Sequence, residues 1–140
     1  MAPNWDDVEV GQALPDKMIR LGRDTLVRYA GASGDFNPLH WNERHAKAAG
    51  LPNVIAHGML TMASAGRAVT DWVNDPGAVL EYGVRFSKPV VVADTDEGVE
   101  LRIAGVVEEK LDGRRVAVGL TVTAGDQEVV KAVRAVVRLA

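Results

Sequence analysis

Gly58-Met59-Leu60-Thr61-Met62-Ala63-Ser64-Ala65-Gly66-Arg67-Ala68-Val69-Thr70-Asp71-Trp72-Val73 is the longest stretch of helical character in the chain. Leu60, Met62, Ala63, Gly66, Val69 and Val73 fall on the side expected to face a core. A near-neutral helix rich in Ala, Gly and Ser can lie close to other backbone, and such helices are usually buried. After Pro76-Gly77 the periodicity changes to two. Leu80, Tyr82, Val84 and Phe86 share one face of a strand over 79–87, with Glu81 and Arg85 opposite. Pro89 marks its end or a sheet edge. Val99, Leu101, Ile103 and Val107 point inward from the next strand, and Asp112-Gly113 signals a hairpin. Val116, Val118, Leu120 and Val122 repeat the pattern, Gly125-Asp126 turns again, and 129–139 is a last long strand. One buried helix ahead of a four-strand antiparallel meander predicts an α+β fold, one sheet wrapped on one helix. A single helix cannot cover both faces of about five or six strands, so one face is expected to be wet or half-wet. An edge strand is then free to pair with a second subunit.

Upstream, Val8 to Leu14 reads as a short strand broken by Gly11, and Met18 to Leu21 as a second. Arg23 to Ala30 reads as a helix with Asp24 as N-cap, ended by Gly31 and Gly34. Asn42 to Ala49 reads as a short helix, capped by Asn42 and stopped at Gly50.

The 140 residues read as one domain. With 47% hydrophobic and 25% charged residues the chain is globular rather than disordered. The net charge of −3 and the absence of a basic run argue against a nucleic-acid partner. There is no cysteine, which removes thiolate chemistry, a disulfide scaffold and a Cys-based zinc site. No signal peptide is read in the acidic Met1–Asp7 stretch, and no run approaches the roughly 20 apolar residues of a membrane span. The expected address is the cytoplasm, with no membrane partner.

Gly34-Asp35-Phe36-Asn37-Pro38-Leu39-His40 places a carboxylate, an amide and an imidazole around a proline-stiffened turn. Asp35 and His40 can hold a water between them, take its proton and return one to carbon. Asn37 can orient that water or the carboxylate. The same composition is also ordinary turn chemistry, in which Asp35 or Asn37 bonds its own backbone. Gly58 sits where the long helix begins, so its N–H could polarise a carbonyl oxygen. It could equally be a tight-packing residue. His57 by itself reads as a satisfied structural histidine and His45 as solvent-facing. His40, His45 and His57 show no recognised metal spacing. Arg85 and Lys88 could meet an anionic ligand, or be ordinary solvated charges.

Tyr29 to His40, with Ala56-His57-Gly58-Met59-Leu60 following, resembles the paired signature of the MaoC-like (R)-specific enoyl-thioester hydratases. Val8–Gly11 resembles that family's opening strand and Val84–Val90 its post-helix strand. The resemblance implies a single hot-dog domain over 1–140, an antiparallel sheet wrapped around a long central helix, with subunits paired edge to edge. It implies reversible syn addition of water to a trans-2-enoyl thioester, of CoA or acyl carrier protein, giving a (3R)-3-hydroxyacyl thioester. Asp35 and His40 match the catalytic pair, Asn37 the supporting amide and Gly58 the N–H that holds the thioester carbonyl. His57, Met59, Gly66, Phe86, Arg85 and Lys88 are the expected substrate-binding residues. No metal or redox cofactor is implied.

Three runs, Gly34–Trp41, Ala56–Met62 and Asp75–Val79, resemble more narrowly the catalytic β subunits of actinobacterial (3R)-hydroxyacyl-carrier-protein dehydratases. Those work with a second hot-dog subunit that lacks the pair, so a homodimer and a heterodimer both stay open. Homodimeric relatives acting on short chains can carry a serine further along the central helix. Here Gly66 stands at that position, and a glycine is expected to leave space for a longer acyl chain or a completing partner. Two rivals differ in class. A hot-dog thioesterase needs a carboxylate on the central helix, and only Asp71 is there. A non-catalytic acyl-binding subunit would lack the Asp/His pair that this chain retains.

Overall fold

A computed structural model describes residues 2–140; Met1, the first residue of the acidic amino-terminal stretch, lies outside them. The elements are β1 (Lys17–Leu21), α1 (Arg23–Ser33), α2 (Glu43–Ala48), α3 (Gly58–Val73), β2 (Val79–Phe86), β3 (Val99–Leu111), β4 (Arg115–Ala124) and β5 (Gln127–Arg138). Short 3-10 turns stand at Trp5–Asp7, Pro38–His40 and Pro76–Ala78. All strand pairs are antiparallel and the sheet order is β1-β3-β4-β5-β2.

This is the expected α+β architecture, a long helix held in one antiparallel sheet. α3 buries Thr61, Ser64, Ala65, Ala68, Val69 and Val73. Opposite them stand Leu101, Ile103 and Val107 of β3, Val116, Val118 and Val122 of β4, and Val133, Ala135 and Val137 of β5, all buried in one core. The inward-facing residues expected of β3 and β4 are in this core, except Val99, which packs half-buried against it. The far face is half-wet. There Arg134 lies 3.9 Å from Glu81 and 3.8 Å from Glu109, so long polar side chains cover the sheet with their stems.

Four local readings are corrected. The helix face is rotated: Ala63 is exposed, while Thr61, Ser64, Ala65 and Ala68 turn inward, placing the smallest side chains where the backbone meets the sheet. Val8 to Leu14 is not a strand. It turns at Val10-Gly11 and meets β3 through the single bridge Ala13–Val106. The N-cap of α1 is Gly22, not Asp24, and the Thr25 hydroxyl accepts from the Gly22 N–H at 3.0 Å. The meander is β3-β4-β5 alone. β2 crosses to the outer side of β5, and irregularities at Val79/Glu81 and Gly83/Arg85 leave Leu80 and Phe86 exposed while Tyr82 and Val84 are half-buried. Asn42 caps α2 as expected, accepting from the His45 N–H at 3.1 Å, and His45 is exposed. Among the described residues no helix is long and apolar enough to cross a membrane.

Candidate functional site

α1 stops where Gly34 takes a left-handed conformation, φ 75°, and its N–H closes on the Ala30 carbonyl at 2.9 Å. Glycine adopts this geometry without the Cβ penalty. The chain then runs through consecutive side-chain turns. The Asn37 N–H donates to Asp35 Oδ1 at 3.2 Å and the Leu39 N–H to Asn37 Oδ1 at 3.1 Å. The turn chemistry is therefore real for both residues. It leaves Asp35 with a second carboxylate oxygen, Oδ2, which lies 3.8 Å from His40 Nε2.

His40 is the better held of the two. Its side chain is 11% exposed against 51% for Asp35. Nδ1 lies 2.7 Å from the Ile55 carbonyl. A carbonyl only accepts, so Nδ1 carries the hydrogen and the neutral ring keeps its lone pair on Nε2, beside the carboxylate. The Ile55 N–H in turn donates to the Leu39 carbonyl at 3.0 Å. Residues 54–56 are pinned from the other side. The Ala56 N–H donates to Val90 at 2.8 Å, and the Val92 N–H to Val54 at 3.0 Å. This short pairing of 54–56 with 90–92 delivers the chain to α3 beside the loop. It was not legible in the sequence, where neither segment shows a strand pattern.

His57 is the N-cap residue of α3 and is 1% exposed. Its Nε2–H donates to the Asp35 carbonyl at 3.1 Å. Its ring stacks on His40, centroids 3.8 Å apart, and meets the Tyr29 ring edge-on at 4.7 Å. Nδ1 has no partner. The sequence reading of a satisfied histidine is thus half right. Burial holds the imidazole below its usual range, against the donated hydrogen bond to Asp35, which favours the charged form.

The helix start presents its first N–H groups without intrahelical partners, and the His57 side chain does not cap them. Gly58 is exposed there, and a Cβ on it would lie 3.2 Å from Phe86 Cζ. A pocket of about 280 Å³ opens at this point, lined by His40, Ala56, Gly58, Thr61, Phe86 and Lys88 among others. Thus His40, Gly58, Phe86 and Lys88 meet at one cavity, with Asp35 against His40. Asn37 holds the turn behind them. Met59 is exposed, and Arg85 lies on β2 opposite Lys131 of β5; neither lines the pocket. Thr61, which the sequence reading passed over as helix, does line it. Gly66 leaves no open space, contrary to expectation. A Cβ there would come within 3.2 Å of the Tyr82 ring, whose hydroxyl donates to the Met62 carbonyl at 2.6 Å.

Asp35, His40 and His57 each bring one possible ligand atom within 4.8 Å of the others. The histidine rings lie stacked with their planes 24° apart, and one nitrogen of each is already taken by a backbone carbonyl. The set suits proton transfer better than metal binding.

A family model described as MaoC like domain matches residues 7–129. The chain is 37% identical over 102 residues to a 3-hydroxyacyl-thioester dehydratase X of Mycobacterium tuberculosis, covering 67% of this chain and 35% of that one. A solved MaoC-like dehydratase superposes with a TM-score of 0.95 at 42% identity, over 99% of this chain and 43% of that chain. The unliganded R-hydratase PhaJ1 from Pseudomonas aeruginosa superposes at 0.83 with 28% identity, over 97% of this chain and 85% of that one. The chain thus spans less than half the length of the first two proteins and most of the third.

Proposed function

We propose, from the premise that this chain belongs to the MaoC-like domain family, that it interconverts trans-2-enoyl thioesters and (3R)-3-hydroxyacyl thioesters by adding or removing water. The observation that carries this reading is the fixed tautomer of His40. With Nδ1–H given to Ile55, Nε2 is a free base 3.8 Å from the Asp35 carboxylate, at a pocket that also exposes Gly58. That gap is too long for a direct hydrogen bond. It lets one water or substrate hydroxyl bond to both groups.

In dehydration, the Gly58 N–H meets the thioester oxygen and stabilises the negative charge that develops there. His40 Nε2 takes the C2 proton. The electron pair shifts toward the carbonyl, then forms the C2–C3 double bond as the C3 hydroxyl leaves. The proton taken from C2 is delivered through the Asp35/His40 pair to that hydroxyl, so water departs and the pair returns to its starting state. Hydration runs the same steps in reverse, with the pair taking a proton from water as it attacks C3 and returning one to C2.

The thioester is carried by CoA or by an acyl carrier protein, with Lys88 at the pocket wall and Arg85 nearby on β2 to meet its phosphates. Asn37 supports by fixing the turn, and Phe86 walls the acyl end. The subunit pairs edge to edge with a copy of itself or with a second hot-dog chain. β2, with Leu80 42% and Phe86 50% exposed, is one of the two edge strands of the sheet, the other being β1. The thioesterase alternative loses support: Asp71 is about 20 Å along α3 from Gly58 and is ion-paired to Lys17 and Arg67.

The test is enoyl absorbance on crotonyl-CoA, with purified protein alone and with any neighbouring hot-dog chain. Loss of absorbance in hydration, without free thiol, is expected. Thiol release would point to a thioesterase. Activity only with a partner that carries its own Asp/His pair would point to a binding subunit.

A further inference from the structure

Three segments of the chain converge on one ring. His57 takes the edge of Tyr29 from α1, the stacked face of His40 from the loop, and through Nε2–H the carbonyl of Asp35. Its own backbone begins α3, and its carbonyl accepts the Thr61 N–H at 3.1 Å. The same residue therefore fixes the carboxylate loop, backs the base, and sets where the Gly58 N–H stands. The pocket is not lined by it, so its part is indirect.

The unpartnered Nδ1 says why the side chain is an imidazole. Burying a polar nitrogen without a partner is unfavourable, and each such group in a folded protein asks for an explanation. A phenyl ring would fill the same space, stack on His40 and leave no orphan. What it lacks is a donor for the Asp35 carbonyl. The imidazole tolerates an unsatisfied Nδ1 in exchange for an Nε2–H at that one place.

We propose that His57 is a positioning residue for the reaction: its Nε2–H and its stack on His40 hold the Asp35 carboxylate, the His40 base and the α3 start in one register. This rests on the hydratase reading above. The ring works in the neutral state. A proton on Nδ1 would be a buried charge with no acceptor, placed against an imidazole that must itself take a proton. The titratable groups that face it are His40 and Asp35, with the Tyr29 ring closing the remaining side.

Two variants and one spectrum test the assignment. His57→Phe keeps the stack and loses the donor; His57→Gln keeps a donor near Nε2 and loses the stack. Small misplacements of reacting groups cost on the order of 10²-fold, so His57→Phe is expected to lower kcat by about that factor with KM little changed. His57→Gln should recover a large part of it. In the wild type, nitrogen-resolved NMR should show His57 as the Nε2–H tautomer at neutral pH, taking up a proton only below the ordinary imidazole range. Wild-type kcat in His57→Phe, equal losses in both variants, or a ring that titrates as an ordinary imidazole overturns the proposal. The spectrum decides the matter if either variant fails to fold. Wild-type inactivity on every enoyl thioester would overturn the hydratase reading itself, leaving the tautomer to be read separately.

Discussion

His40 gives its Nδ1 hydrogen to the Ile55 carbonyl at 2.7 Å, and this one bond decides which nitrogen faces Asp35. The base is prepared by backbone, not by the carboxylate, whose nearest oxygen stays 3.8 Å away. Replacing the carboxylate should therefore act on chemistry without loosening the turn, whereas removing the imidazole also takes away a bond and a stacked ring. Asp35→Asn still offers an oxygen to the Asn37 N–H. We expect Asp35→Asn to lower kcat by about 10²-fold or more on crotonyl-CoA with little change in melting. His40→Ala should lower it at least as much while also lowering the melting temperature, because it loses the bond to Ile55 and the stack on His57. Full turnover in both variants would remove the pair from the mechanism.

Much of the loop could be read from local chemistry. Gly34, Asp35, Asn37 and Pro38 are turn residues with known geometry, and they sit where the α1 pattern ends. Asn42 and Gly50 bracket α2 for the same reason. The place of β2 could not be read, because alternation tells which face of a strand is buried but not which strand lies beside it. Val8 to Leu14 alternates weakly and turns at Val10-Gly11; Gly11, Gln12 and Leu14 bond to β3 through backbone, but only the Ala13–Val106 bridge forms, so its strand propensity never becomes a ladder. The turned face of α3 was missed because hydrophobicity favours Leu60 and Met62, whereas close approach to the sheet selects Ala65 and Ala68. His57 illustrates the same limit. A lone histidine before a glycine carries no local sign that Tyr29, Asp35 and His40 will all meet it.

Acid should weaken the fold through His57. Burial depresses its folded pKa, so below the ordinary value of 6.5 the unfolded chain binds a proton that the native ring refuses. Stability then falls as pH drops below about 6.5, and the contribution is intact above it. Urea midpoints measured from pH 7.5 to 5 should decline in the wild type and decline less in His57→Gln. Parallel curves would argue against this source.

Alkali should weaken it through Tyr82. Burial pushes this phenol up to about 12, above its ordinary 10.0, so the native state keeps a proton that the unfolded chain loses. Stability is fully present below pH 10 and declines between about 10 and 12. The ring is only half-buried, and solvent screening brings the expected loss to roughly 1–2 kcal/mol. Tyr82→Phe should abolish that decline while costing about 1 kcal/mol at neutral pH, from the lost bond to the Met62 carbonyl. An unchanged alkaline limb in Tyr82→Phe would refute the assignment.

Ala132 stands at φ 50° where β5 carries one residue more than β2 between the Gly83–Arg134 and Arg85–Lys131 pairs. A left-handed alanine costs roughly 1–2 kcal/mol, and glycine there gives back about 0.5–1 kcal/mol in unfolded-state entropy. Ala132→Gly should thus stabilise by up to about 1 kcal/mol and raise the melting temperature slightly, leaving turnover alone. Lower thermal stability in this variant would mean that the bulge is not strained.

Gly58 has two reasons to lack a side chain, and Gly58→Ala separates them. A methyl there would sit 3.2 Å from Phe86 Cζ, tight but at the tip of a half-exposed ring that can give by a few tenths of an ångström. Alanine also suits the first turn of a helix better than glycine. The fold should therefore survive with melting nearly unchanged. The same methyl would crowd the exposed N–H that meets the thioester oxygen, and losing such a donor costs on the order of 10²-fold in rate. We expect kcat/KM on crotonyl-CoA to drop by about that factor in a protein of normal stability. A destabilised variant whose remaining folded fraction turns over normally would make Gly58 a packing residue and move the carbonyl contact elsewhere on the helix start.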